Sequence, residues 1–226
     1  MNTMREKTAE AMAAYWDKSA PNYESRHELA DKPVWQSLLA GWIGLDRGTK
    51  IVDVATGTGM IAHMLAAYGY RDVTGVDLSE GMMEVARRHA SEDGLSVIYR
   101  RANALELPFE DGSVDALVSS RLLWTLPEPE NAVREWLRVL KPGGRLIAIN
   151  ELEETGIRSH SFDDPATYIG AEFTERDFTF ANASREAILE AFRRAGLRNV
   201  RLEHMKGCHM VRSDRENWFA FVGTKE

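Results

Sequence analysis

The stretch that decides the fold is VDVATGTGMIA, residues 52–62. Its apolar, β-branched start reads as a buried strand. Gly57-Thr58-Gly59 reads as a tight turn, and Met60 onward as the start of a helix. Glycines at 57 and 59 let backbone approach a ligand closely, and the helix offers free N–H groups at its first turn. Such a turn suits a nucleotide-like ligand. Gly57, Gly59 and Ala62 formally satisfy the dinucleotide pattern G-x-G-x-x-G/A, whereas the Gly-Lys-Ser/Thr ending of a P-loop is missing.

Outward from the turn, strand and helix patterns alternate. DVTGVDLS (72–79) is a strand that runs to an acid, and Ser79 caps a helix extending to about Glu92. LSVIYRRA (95–102) and VDALVSS (114–120) are further strands. Pro127 to Leu140 is helical, with Val133, Trp136, Leu137 and Leu140 on one face. KPGG (141–144) reads as a sharp turn into RLIAIN (145–150). This alternation predicts right-handed crossovers and a parallel sheet with helices on both faces, an α/β, Rossmann-like fold.

The flanks differ. Met4, Thr8, Ala11, Met12 and Tyr15 are spaced as one helix. Val34, Trp35, Leu38, Leu39, Trp42 and Ile43, after Pro33, form another. The two predict an N-terminal helical cap over 1–47, ahead of a core at 48–150. Residues 151–183 show no clear period and carry a local charge of −6, which reads as an acidic substrate loop or lid. A helix from Ser184 and strand-like runs at 197–206 and 208–222 complete a single domain.

Two acids narrow the ligand. Asp53 lies inside the first strand, four residues before Gly57, where a pyrophosphate would be repelled and an amino group welcomed. Asp77 ends the next strand, 24 residues after Asp53, where an acid grips ribose hydroxyls. A ligand with a ribose and a positive amino group but no phosphate fits both, and S-adenosylmethionine is such a ligand.

At this point a resemblance becomes specific. VDVATGTG, GVDLSEGMMEVAR, NALELPFEDGSVD and REWLRVLKPGGRLIAI stand in the order and spacing of the class I S-adenosylmethionine-dependent methyltransferases. The sequence resembles their small-molecule branch, which includes the ubiquinone/menaquinone C-methyltransferases, over roughly residues 10–150. The resemblance implies a seven-stranded, mostly parallel sheet whose last strand is antiparallel. It implies that Asp53, Ala55, Thr56, Gly57, Thr58 and Gly59 surround the methionine moiety and that Asp77 binds the ribose. It places Leu78 beside Asp77, Met82 against the adenine, and Asn103, Ala104 and Leu105 flanking the adenine. Ser120 and Arg121 come near the transferred methyl. Ala55 stands where many members carry glycine. Asn103 stands where aspartate is usual; its amide oxygen can still accept from the adenine amine, and weaker cofactor binding is expected.

Acceptor contacts are expected from the cap and the strand ends. Tyr23 and Trp35 are expected to fold over the cofactor, while Tyr15 reads as core. Tyr23, His27, His160 and Glu151 are candidates for substrate contact or acid–base work, with Glu151 at the carboxyl edge where such sheets bind ligands. The acidic 151–183 segment favours a neutral or cationic small molecule as acceptor.

The bulk properties agree. A net charge of −7 argues against a nucleic-acid partner. The single cysteine, Cys208, fits a reducing cytoplasm, and no apolar run suggests membrane insertion. His204, Cys208 and His209 lie in alternating pattern without a fourth ligand, so no metal is expected. A homodimer is open. Two competing readings remain at this stage: an NAD(P)-dependent oxidoreductase, and a non-catalytic module that binds the cofactor on a degenerate methyltransferase fold.

Overall fold

The computed structural model describes residues 4–126, 128–153, 156–157, 179–180, 183–213 and 215–226. The N-terminal region is helical: α1 (Met4–Ser19), a short 3-10 turn (Ala20–Asn22), α2 (Tyr23–His27) and α3 (Lys32–Ile43). The central block follows as β1 (Lys50–Val54), α4 (Met60–Ala67), β2 (Asp72–Asp77), α5 (Glu80–Glu92), β3 (Ile98–Arg101), β4 (Val114–Ser120), α6 (Pro129–Val139) and β5 (Leu140–Glu153). A two-residue strand β6 (Gly156–Ile157), α7 (Arg185–Arg194), β7 (Leu197–His204) and β8 (Trp218–Lys225) complete the described elements.

The strands run in the order β3-β2-β1-β4-β5-β8-β7, with β6 paired to β5 off this path. Strands β1 to β5 pair in parallel, and β8 is antiparallel to both neighbours, β5 and β7. This is the seven-stranded sheet with an antiparallel last strand that the resemblance implied. The central strands are apolar on both faces because both faces are covered. Val52 and Val54 point towards the cluster under α6 and α7, and Ile51 towards the one under α3 and α4.

Three sequence readings are corrected. KPGG is not a free turn: it is the start of β5, where the pairing with β4 shifts register between Val114 and Ala116. Two steps along β4 there stand against five along β5, so the glycine pair, with Gly143 at φ +77°, sits inside the strand's span as an irregularity that strand periodicity alone does not reveal. The run at 208–222 is strand only from Trp218; before it lies a loop pinned by isolated bridges from Met210 to Leu29 and Ser213. Trp35 does not fold over a ligand. It is fully buried, its ring edge-on to Trp218 at 4.9 Å between centroids. A large ring on the apolar stripe of α3 gains more from burial against the sheet than from a half-exposed site.

Candidate functional site

The strand ends that the topology brings together carry the site. The parallel strands β1, β2 and β4 end side by side, and the turns after them face the cap helices. Gly59 has φ +84°, and a β-carbon there would stand 2.7 Å from His63 Nε2 and from the Tyr99 hydroxyl, so only glycine fits. Gly57 is also left-handed, but a β-carbon at Gly57 would meet nothing within 4 Å: that side of the turn is open. Ala55 takes φ +57° in the same turn, although it has a side chain.

The two acids hold the turn in different ways. Asp53 is 1% exposed. Its Oδ2 accepts from Thr56 Oγ1 at 2.6 Å and from the Ala62 N–H at 3.2 Å, tying the turn to the start of α4. Asp77 accepts from the Gly57 N–H at 2.8 Å on one oxygen and from the Ser79 N–H at 2.9 Å on the other. Burial pushes the Asp53 carboxyl up to about 7 against the pull of its hydrogen bonds, and the Asp77 charge adds to the rise. Burial likewise raises Asp77 to about 6 against three backbone hydrogen bonds. Two buried acids so placed favour a ligand that brings positive charge.

Two carboxylates of the cap, Asp17 and Glu24, fasten it to this floor. Asp17 of α1 accepts from Ser79 Oγ at 2.6 Å and from the Gly81 N–H at 2.9 Å, at the start of α5. Ser79 Oγ in turn accepts from the Met82 N–H at 3.0 Å, the expected N-cap. Glu24 and His89 add a second tie at 3.0 Å. No sequence pattern marked Asp17, because its partner is 62 residues away in the chain.

Between cap and floor lies a cavity of about 720 Å³. Of the residues singled out in the sequence, Tyr23, His27, Ala55, Gly57, Asp77, Leu78, Met82, Asn103, Ala104, Leu105, Ser120 and Arg121 line it. Asp53, Thr56, Thr58, Gly59, Glu151 and Trp35 do not. Asp53 sits beneath the turn, held by Thr56 and the Ala62 N–H, while Thr56, Thr58 and Gly59 form the turn itself without lining the cavity. Glu151 is half-buried, and its charge pushes the Tyr23 phenol up through space. His160 lies outside the described residues. Asn103 already uses its amide oxygen to accept from the Leu105 N–H at 3.0 Å.

The wall also contains residues that the sequence did not assign to the site. Thr8, Met12, Tyr15 and Trp16 of α1 face the cavity, as do Trp124, Thr125, Leu126 and Glu128 after β4. Tyr15 was expected in the core. The stripe on α1 was visible, but its spacing is the same whether it covers a sheet or a cavity.

Tyr23 and Arg121 meet across the cavity. The Arg121 guanidinium carbon lies 5.3 Å from the Tyr23 ring centroid and 5.8 Å from that of Trp218. His27 stacks on Tyr23 at 4.4 Å. Burial raises the Tyr23 phenol, opposed by Arg121, so Tyr23 holds its proton and is a poor base near neutrality.

The H-x₃-C-H group is dispersed. His204 stacks on Phe219, His209 faces Asp31 at 3.7 Å, and the buried Cys208 thiol is pushed up to about 12, mainly by burial. Among the described residues no group of three or more His, Cys, Asp or Glu is arranged to hold a metal ion.

The comparisons with known proteins bear on this geometry. Residues 52–148 match the methyltransferase-domain family. A demethylmenaquinone methyltransferase of Staphylococcus aureus is 30% identical over 204 residues, which cover 81% of this chain and 84% of that protein. The chain belongs to the class I S-adenosylmethionine-dependent methyltransferases. A second demethylmenaquinone methyltransferase, from Clavibacter sepedonicus, is 37% identical over 139 residues; there the match spans 60% of this chain and little more than half, 56%, of the relative. Among solved structures, the cyclase SpnF superposes with a TM-score of 0.70 at 22% identity over 96% of both chains. Phosphoethanolamine N-methyltransferase 2 of Haemonchus contortus, solved with S-adenosylmethionine, gives a TM-score of 0.63 at 19% identity, covering 84% of this chain and 51% of that one. These two likenesses are of fold, and fold does not set the reaction. The cofactor of the family is S-adenosylmethionine. The buried acids, the open face of Gly57 and the apolar wall at Met82 and Leu105 of this methyltransferase suit its charge, ribose and adenine.

Proposed function

We propose that the methyltransferase carries a methyl group from S-adenosylmethionine to a small-molecule acceptor by in-line displacement. The observation that carries this reading is the shared cavity: the ribose-binding acid Asp77 and the far-side group Arg121 open into one space roofed by α1 and α2. The donor supplies a methyl already activated by a positive sulfur. The protein's part is alignment and exclusion of water, which is worth roughly 7–11 kcal/mol at most. Asp77 holds the ribose, Met82 and Ala104 sandwich the adenine, and the Gly57 backbone passes close to the methionine half. Asp53 acts from below by keeping the turn in shape. Tyr15, Trp16 and Tyr23 close over the reacting groups from the cap.

The names of the sequence relatives support a small aromatic acceptor of the quinone class, and the aromatic wall of the cap is compatible with one. The acceptor enters from the β4–β5 side, since β2 and β3 are taken by the nucleoside. Among the described residues no helix is long and apolar enough to cross a membrane.

Titration calorimetry tests the reading. The protein should bind S-adenosylhomocysteine, and Asp77→Asn should weaken that binding by about tenfold, the loss of a charged hydrogen-bond acceptor. Labelled S-adenosylmethionine should pass its methyl to a reduced naphthoquinone. Absence of S-adenosylhomocysteine binding by the wild-type protein would refute the proposal.

A further inference from the structure

Arg121 is placed at a cost that two aromatic rings beside its guanidinium offset only in part. It follows the last residue of β4 with φ +58°, a left-handed conformation that a non-glycine residue adopts rarely. Its N–H donates to the Ile149 carbonyl at 2.8 Å, which holds the backbone in that conformation. Its side chain ends among aromatic rings. Nε and Nη1 are both buried and neither has a hydrogen-bond partner. Arg121 has no ion pair among the described residues. A guanidinium is always charged and presents five donors. A buried charge left unpaired is strongly unfavourable, so such a group is kept where a ligand completes it.

The sheet order says which ligand. From β4, Asp77 lies two strands away in one direction, through β1 to β2. Trp218 lies two strands away in the other, through β5 to β8. The Arg121 guanidinium carbon lies 5.3 Å from the Tyr23 ring of the cap and 5.8 Å from the Trp218 ring of β8, so it has a contact on the β8 side of β4, opposite to β2. Leu122, Trp124 and Leu126 supply an apolar wall beside it. In such surroundings an opposite charge is held far more firmly than in water.

We propose that Arg121 binds an oxyanion of the acceptor, a carboxylate, phenolate or enolate oxygen, and so restricts the acceptor to molecules that carry one. The other source of an oxyanion in this cavity is the carboxylate of the donor's methionine half; the contact with Trp218 of β8, two strands from β4 on the side opposite to β2, favours the acceptor. The inference rests on the methyltransferase reading above. It replaces the neutral or cationic acceptor suggested by the acidic 151–183 segment, most of which lies outside the described residues. Where that anionic oxygen is itself methylated, its proton is already lost and the transfer needs no general base; where a ring carbon is methylated, the oxyanion supplies the electron pair and the carbon's own proton leaves to water afterwards.

The test uses the protein saturated with S-adenosylhomocysteine and two probes of equal shape, naphthoate and the neutral naphthamide. Wild type should prefer naphthoate. Arg121→Met should lose that preference, by about tenfold in naphthoate affinity, with naphthamide and S-adenosylhomocysteine affinities unchanged. Arg121→Lys, which keeps a cation but not the fork, should recover part of it. If Arg121→Met instead weakens S-adenosylhomocysteine and spares binding of methylthioadenosine, which lacks the carboxylate, the donor is the source and the proposal is overturned. If wild type binds S-adenosylhomocysteine but does not prefer naphthoate, the proposal fails by itself, whether or not the variants fold. If wild type binds no S-adenosylhomocysteine, the function reading fails and takes this one with it.

Discussion

Replacing Asp53 by asparagine should make the ligand-free protein more stable at neutral pH, although Asp53 stands in the most recognisable motif of the chain. Burial raises its pKa from 3.8 to about 7, despite two hydrogen bonds that favour the charge. At about 1.4 kcal/mol per pH unit, keeping it ionised costs the fold on the order of 4 kcal/mol above its folded pKa. The sign follows from proton linkage: the folded state holds this proton more tightly than the unfolded chain does. Its favourable contribution is present at low pH and is lost as pH climbs from 3.8 through about 7. Asparagine has nearly the same shape and its oxygen can accept from Thr56 and Ala62, but it carries no charge. Asp53→Asn should therefore gain about 1–4 kcal/mol at about pH 8, and the gain should shrink by about 1.4 kcal/mol at about pH 6. For a chain of this length that change in advantage is about 3–6 °C in Tm. Thermal unfolding of both proteins at both pH values measures it. His63, which burial holds below the usual histidine range, titrates in both proteins and cancels in the difference, whereas Asp77, whose charge adds to the Asp53 rise, is relieved of that repulsion in the variant and adds to its gain at the higher pH. A variant no more stable than wild type at about pH 8, or one whose advantage is the same at both pH values, would refute the reasoning.

Other outcomes follow from single positions. Gly59→Ala puts a β-carbon 2.7 Å from His63 Nε2 and the Tyr99 hydroxyl at φ +84°; it should destabilise by about 1–3 kcal/mol and weaken S-adenosylhomocysteine binding, read by urea unfolding and calorimetry. Ala55→Gly removes the left-handed strain at φ +57° and should leave stability equal or raise it by up to about 1 kcal/mol, because glycine's extra chain entropy offsets part of the relief. Trp35→Ala should cost about 3–5 kcal/mol, while Trp35→Phe should leave S-adenosylhomocysteine affinity unchanged, since the ring packs on Trp218 and not on the cavity. Loss of affinity in the folded Trp35→Phe protein would return this residue to the site.

Some of this was legible in the chain and some was not, for a definite reason. The strand–turn–helix at 52–62, the alternation that follows it and the acid at 77 are local or periodic signals. Each is set by the residue types within one or two turns of backbone. They suffice for the α/β sheet, the cofactor and the floor of the cavity. Whatever depends on two distant segments meeting was decided by the tertiary structure. The stripe of Thr8, Met12 and Tyr15 has the same spacing whether it covers a core or a ligand; docking of Asp17 on the start of α5 turned it towards the cavity. Asp53 reads as a ligand contact from its motif, yet hydrogen bonds from Thr56 and Ala62 draw it under the turn. Arg121 was placed near the transferred methyl by resemblance alone. That two of its guanidinium nitrogens are buried without a hydrogen-bond partner, beside Tyr23 from the cap and Trp218 from the last strand, needed three segments from the beginning, middle and end of the chain. Sequence fixes what a residue can do within its own turn or strand; the desolvation and pairing that decide its role come from atoms far along the chain.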